Sequence, residues 1–339
     1  MKTVWKVVII LVAAGIMLSV IGLSMGASRA LYLGRAGVYI DDADKVWIKE
    51  PDLGHFKNID ISATFGDVEF LSSDKYGIEL YGREEDWEWA IDGETLSVKY
   101  KLKQKMSMKI SLFDFNWNED RDQVKVYLPA GVKLETVTVR TDSGKINLSG
   151  FSADDVQIHN SFGNVELSGI VGDKLRVELD SGSFSGNNLN AKTLHYNNKF
   201  GKGDFRAINA DVFTAECDSG DLVLNDCVFS DTTISNSFGK ITASGIESPK
   251  TNISADSGDI NLDGRFSGET IINAKFGGVK LVTSMKKELY SFDISANFGK
   301  VTFDNNRVGS NTSVISGNTL ENHLKIHADS GDIEVVFAP

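Results

Sequence analysis

Five aspartates, Asp142, Asp180, Asp218, Asp256 and Asp329, each stand two residues before a glycine. Carboxylates recurring on one face of a repeat could build a calcium ladder or a polysaccharide-cleaving site. The nine-residue calcium-binding repeat is absent, however, and turn chemistry accounts for the pattern: an Asp side chain caps its own backbone two residues on, and glycine takes the positive φ. His323 and His327 lie four apart, on one face of a strand but too far apart along it for easy shared ligation, and no third ligand is evident. Trp87, Trp89, Phe113, Phe115 and Trp117 crowd one region where rings could stack on sugars; packing inside a cap is the default reading. Cys217 and Cys227 are too few for a disulfide framework, so strand burial is expected, with a bridge between them as the alternative. No serine or cysteine sits in a nucleophile motif. No catalytic, cofactor-binding or metal-ligating residue is therefore assigned.

The elements that carry these residues repeat. Glycines at Gly144, Gly163, Gly182, Gly201, Gly220, Gly239, Gly258 and Gly277 follow one another at intervals of 19. Seven residues before each stand Val137, Val156, Leu175, Leu194, Phe213, Thr232, Thr251 and Thr270; five before and two after, the columns are again mostly apolar. Alternation with period two on both sides of a glycine reads as strand, tight turn, strand. A repeat this short cannot bury its own apolar face, whereas stacking successive coils about 4.8 Å apart does. The predicted fold is all-β, a β-solenoid of 19-residue coils.

Just before the glycine the column alternates Ser143, Phe162, Ser181, Phe200, Ser219, Phe238, Ser257 and Phe276, so the working unit is a 38-residue pair of coils. Parity along the strand places this column inward, with large rings over small hydroxyls filling the core. One residue earlier, on the outward face, come Asp142, Ser161, Asp180, Lys199, Asp218, Ser237, Asp256 and Lys275. Carboxylates in consecutive coils would repel by about 0.9 kcal/mol at water's dielectric, and skipping a coil halves this.

The template recurs at Phe65-Gly66, at Phe298-Gly299 and at Asp329-Ser330-Gly331, making eleven matches. Residues 51–339 are thus expected to form the solenoid, with 71–130 as a β-meander capping its N-terminal edge, because bare sheet edges invite aggregation. The spacing from Gly299 to Gly331 is 32, and residues 304–323, rich in Asn, Ser and Gly, are predicted to protrude as a loop.

A net charge of −12 with no dense Lys/Arg cluster argues against a nucleic-acid partner. Residues 7–25 carry no charge, and a helix of that length covers about 28 Å, close to a bilayer core. Lys2 and Lys6 precede the stretch, so residues 1–30 are expected to be a single-pass anchor with a cytoplasmic N-terminus, 31–50 a linker, and the rest extracytoplasmic at the cell membrane. A cleaved signal peptide is the alternative, disfavoured by the length of the apolar run.

These features resemble the bacterial putative-adhesin family of β-strand-repeat proteins, whose function is unknown. The resemblance rests on the N-terminal apolar segment, Val38-Tyr39-Ile40-Asp41, Ala63-Thr64-Phe65-Gly66-Asp67-Val68, Val126-Tyr127-Leu128-Pro129, and the repeated Asp-Ser-Gly and Phe-Gly units. It implies a role at the cell envelope and supplies no catalytic residues. The leading expectation is a non-enzymatic, membrane-tethered protein whose repetitive surface binds an envelope protein or a wall polymer. The alternatives are an accessory protein of envelope-stress signalling and a polysaccharide-active enzyme, the last requiring carboxylates and bases gathered in one groove.

Overall fold

The computed structural model describes residues 45–101, 121–316 and 320–339, together with Gly15, Leu18 and the segments 30–34, 37–39 and 108–111. Each coil contributes one long and one short strand, as in Ser152–Phe162 and Val165–Ser168 of the Gly163 coil. Equivalent residues stack in register: Val137 pairs with Val156, Val156 with Leu175, and Leu175 with Leu194, all in parallel. The short strands do the same, Ile146 pairing with Val165 and Val165 with Phe184. The result is a solenoid whose hydrogen bonds run along its axis and whose alternate side chains fill one continuous core.

Two corners shape each coil. At the repeat glycine, φ is between 131° and 159° from Gly144 through Gly277 and again at Gly331. A Cβ on Gly201 would collide with the carbonyl of Gly182 in the coil below, so this column is closed to every other residue. The second corner lies six residues later, in the left-handed region, and is occupied by Gly150, Gly169, Asn188, Ala207, Asp226 and Gly245. At Gly150 nothing lies within 4 Å of an added Cβ, and elsewhere in the column Asn188 and Asp226 take the same φ.

The column before the glycine does not face the core. Phe162, Phe200, Phe238 and Phe276 are 63%, 58%, 60% and 63% exposed. Parity fails because the ladder omits one residue in each coil: Thr141 pairs with Asn160 and Ser143 with Phe162, but Asp142 and Ser161 are not paired. The chain bends at that residue, and the side chain after it swings outward. The core face ends two residues earlier, at buried Thr141, Asn160, Leu179, Asn198, Cys217 and Asn236.

Interlocking of large with small does occur, in the short strands. Phe184 pairs with Gly203, and Gly186 with Phe205. A Cβ on Gly203 would press on the Tyr196 ring at 3.0 Å, and one on Gly186 on the Phe184 ring at 2.9 Å. Phe184, Tyr196, Phe205, Phe213 and Phe229 make a chain of rings with centroids 4.7–5.2 Å apart through the middle of the solenoid. Two omitted side chains make room for two aromatic ones.

Both ends are covered. At the N-terminal end the coil of Asn58–Ala63 and Gly66–Ser73 stacks on the Gly144 coil. Its free sides take Thr95–Tyr100 and Asp122–Pro129 in parallel, then antiparallel Trp87–Asp92 and Gly77–Gly82, with Val46–Glu50 outermost. Residues 31–50 are therefore not a plain linker: this last strand closes an edge, and Ala30–Gly34 and Gly37–Tyr39 pair with each other and with Met108–Ser111.

At the other end the order of coils departs from the order of the chain. Asn322–Ser330 and Ile333–Ala338 lie between the Gly277 coil and the Gly299 coil, pairing with both. Within 304–323, the described residues 304–316 do not protrude as a loop. Asn306–Ser310 and Ser313–Ile315 run back antiparallel on the outer sides of Lys300–Phe303 and Tyr290–Phe298, because these would otherwise present unpaired backbone. Among the described residues no helix is long and apolar enough to cross a membrane. The expected anchor at 7–25 lies outside the described residues, apart from Gly15 and Leu18.

Candidate interaction surface

The outward turn of the residue before the glycine produces a single edge running the length of the solenoid. In spatial order its residues are Phe65, Ser143, Phe162, Ser181, Phe200, Ser219, Phe238, Ser257, Phe276, Ser330 and Phe298. The alternation, broken along the chain where Phe276 is followed by Phe298, is unbroken in space. Phe65 and Phe298 are 57% and 74% exposed, so all six rings stand in solvent. Rings two coils apart are separated by about 9.6 Å, beyond the 4.5–7 Å of an aromatic pair. None of the six makes a ring contact among the described residues.

In three of the six Phe coils the bend is held from inside by residues that the sequence reading passed over. Asn160, Asn198 and Asn236 are buried, recur every 38 residues in the Phe coils, and donate from Nδ2 to the carbonyls of Gly144, Gly182 and Gly220 at 2.9, 3.1 and 3.1 Å. An asparagine at that interval, in a column otherwise filled by Thr141, Leu179 and Cys217, was the available signal. Asx residues after the glycine hold it from outside: Asp67, Asn164, Asp221 and Asp259 accept the backbone N–H of Lys145, Ser183, Lys240 and Gly278 in the adjoining coil at 2.8–3.1 Å. Asp332 accepts that of Lys300 at 2.9 Å, and this bond holds its carboxyl below the usual range.

The aspartates of the Asp-Ser-Gly units do not cap their own turns, since Gly144 N–H donates to the carbonyl of Phe162 and the other repeat glycines do likewise. Their carboxylates face outward beside the Phe edge. Lys199 reaches Asp180 at 2.7 Å and Lys275 reaches Asp256 at 2.6 Å. The bond from Lys199 lowers the Asp180 pKa and is matched by a rise at Lys199.

No cluster of three metal-ligating side chains occurs among the described residues. His323 and His327 bond through Nδ1 to Ser291 and Ser295 at 2.9 and 3.0 Å, and His327 Nε2 lies 3.0 Å from Asp329. Cys217 and Cys227 are buried and unbridged, and burial pushes their thiols up to about 12 and about 11. Trp87 packs edge-on against Tyr100 within the N-terminal cap; Phe113, Phe115 and Trp117 lie outside the described residues. A shallow depression near that cap gathers Asp67, Glu69, Lys125 and Lys145. There Asp67 is engaged by the backbone of Lys145, and the Lys145 ammonium by Glu166 at 2.9 Å.

The family model described as Toastrack DUF4097 matches residues 56–195 and again 172–336. The chain belongs to the Toastrack DUF4097 family. The two overlapping matches span both ends of the Toastrack solenoid, from the N-terminal coil to the intercalated C-terminal one. No curated protein matches the chain. Solved structures similar to this Toastrack protein include a "putative adhesin" of Bacteroides fragilis, 14% identical, covering 65% of this chain and 97% of that one with a TM-score of 0.40. A "putative adhesin" of Parabacteroides distasonis is 12% identical over 86% and 98% of the two chains, with a TM-score of 0.45. A "putative cell adhesion protein" of Clostridium sporogenes is 12% identical over 87% and 99%, with a TM-score of 0.19.

Proposed function

We propose that this Toastrack protein is a non-enzymatic binding protein of the cell envelope, tethered by residues 7–25, which presents its Phe edge to a macromolecular partner. The observation that carries the reading is the row of six solvent-exposed phenylalanines at a constant pitch. An isolated apolar side chain on a surface needs no explanation, but six exposed rings held in one line at a fixed interval mark an interaction site. The reading is supported from the other side by the burial of both cysteine thiols, which withdraws them from solvent.

Retention of the full chain on purified wall polymer and on envelope vesicles tests the proposal, wild type against a Phe162→Ser/Phe200→Ser/Phe238→Ser variant. Retention should fall at least tenfold in the variant. Equal retention would remove the Phe edge from the function. The tether is tested separately by fractionation of cells, where recovery of the full chain in the soluble cytoplasm would refute it.

A further inference from the structure

We infer that the partner of the Phe edge is a second copy of the same chain, docked antiparallel so that rings of each copy enter the gaps above serines of the other. The inference rests on reading that edge as a binding surface, and it names the occupant.

Pitch is the first argument. Rings two coils apart stand about 9.6 Å from one another and cannot touch, while the serine between them leaves an open notch. A row of teeth and notches at fixed spacing has its best complement in the same row displaced by one coil, with no mismatch accumulating along its length. Interleaving a second row halves the separation to about 4.8 Å, inside the range of aromatic pairs.

Charge is the second argument, and it follows the same parity. The aspartates beside the edge all lie in Ser coils, whereas Lys199 and Lys275 lie in Phe coils. A twofold axis perpendicular to the edge and passing between two successive coils near its middle sets five of the six Phe coils against Ser coils, leaving one end coil unmatched. It thereby keeps each of these carboxylates away from its counterparts. With the axis between the Gly201 and Gly220 coils, Lys199 faces Asp218 and Lys275 faces Asp142. Moved one coil along, it sets the same lysines against Asp256 and Asp180.

Area is the third. The five phenylalanines that meet a counterpart, each more than half exposed, offer roughly 600 Å² of apolar surface, the larger part of the ~800 Å² that one partner contributes to a stable interface.

Sedimentation velocity of the full chain in detergent, over a range of concentrations, tests the inference with two variants. Phe162→Ser/Phe200→Ser/Phe238→Ser removes the teeth using the residue that already fills this position in alternate coils, so the fold is retained. Ser181→Phe/Ser219→Phe keeps the teeth, adds apolar surface and fills the notches. The wild type should be a dimer, and both variants should dissociate at least about 100-fold more readily. A wild type that stays monomeric throughout the micromolar range overturns the inference, as does a notch-filled variant that dimerises as well as the wild type. A monomeric wild type whose retention on wall polymer still depends on the phenylalanines would sink the second copy and leave the proposed function standing. Dimerisation of the wild type alone, with retention indifferent to the phenylalanines, would do the reverse.

Discussion

Phe276 pairs with Ser330 and not with Phe298, the next phenylalanine of the repeat along the chain. The last coil to be synthesised is thus the last but one in space, gripped on both sides by strands that precede it. From Gly277 to Gly299 the spacing is 22, three more than the period of 19, and the turn Lys287–Leu289 supplies the slack for the chain to climb past one vacant rung. The antiparallel strands Asn306–Ser310 and Ser313–Ile315 then return the chain to fill it.

Because the strands of the Gly299 coil pair with the rest of the array only through this intercalated coil, with Tyr290 adding hydrogen bonds to Phe266 and Thr283, removing residues 321–339 should release it. Hydrogen exchange should show loss of protection across 290–315, while coils before Gly258 keep theirs, as nearest-neighbour stability in a solenoid requires. Protection at 290–298 that survives truncation would show that the terminal coil re-docks directly on the Gly277 coil.

The two corners should respond oppositely to substitution. Gly201→Ala forces a Cβ into the Gly182 carbonyl and a strained φ, and should lower stability by about 3 kcal/mol or more. Gly150→Asn, at a corner already occupied elsewhere by Asn188 and Asp226, should cost under about 1 kcal/mol. Thermal unfolding followed by circular dichroism would separate the two, and equal losses would contradict the stacked-glycine account.

Burial raises both cysteine thiols from an ordinary 9.0 to about 12 and about 11. The unfolded chain therefore releases protons that the folded chain retains, so this contribution is intact below pH 9 and diminishes as pH rises from 9 through 11 and beyond. A Cys217→Ala/Cys227→Ala variant should lose less stability than the wild type over that window, and native thiols should resist alkylation at pH 8. Rapid alkylation of the folded protein would contradict the burial of both.

Lys199→Asp would set carboxylates in three successive coils, with those of Asp180 and Asp218 about 4.8 Å away on either side. The expected loss is about 1–2 kcal/mol at low ionic strength, shrinking as salt is added. A loss independent of salt would mean that packing, not charge, sets the identity of this column.

The period, the parallel in-register stacking and the core columns five and seven residues before each glycine were determined by the sequence alone, because alternation within a strand and recurrence every 19 residues are both local patterns. The three-residue excess before Gly299 and the recurring Asn160, Asn198 and Asn236 were legible too, though their meaning required knowing which backbone groups stood beside them. Only the tertiary structure decided on which side the phenylalanines lie. Parity holds along a strand but not through a bend, and the bend comes from an omitted ladder residue and a glycine pressed against the carbonyl of its neighbour. These are contacts between coils, which no single stretch of chain contains. The order of the last two coils was decided in the same way, by edges that could be closed only once the whole array was present.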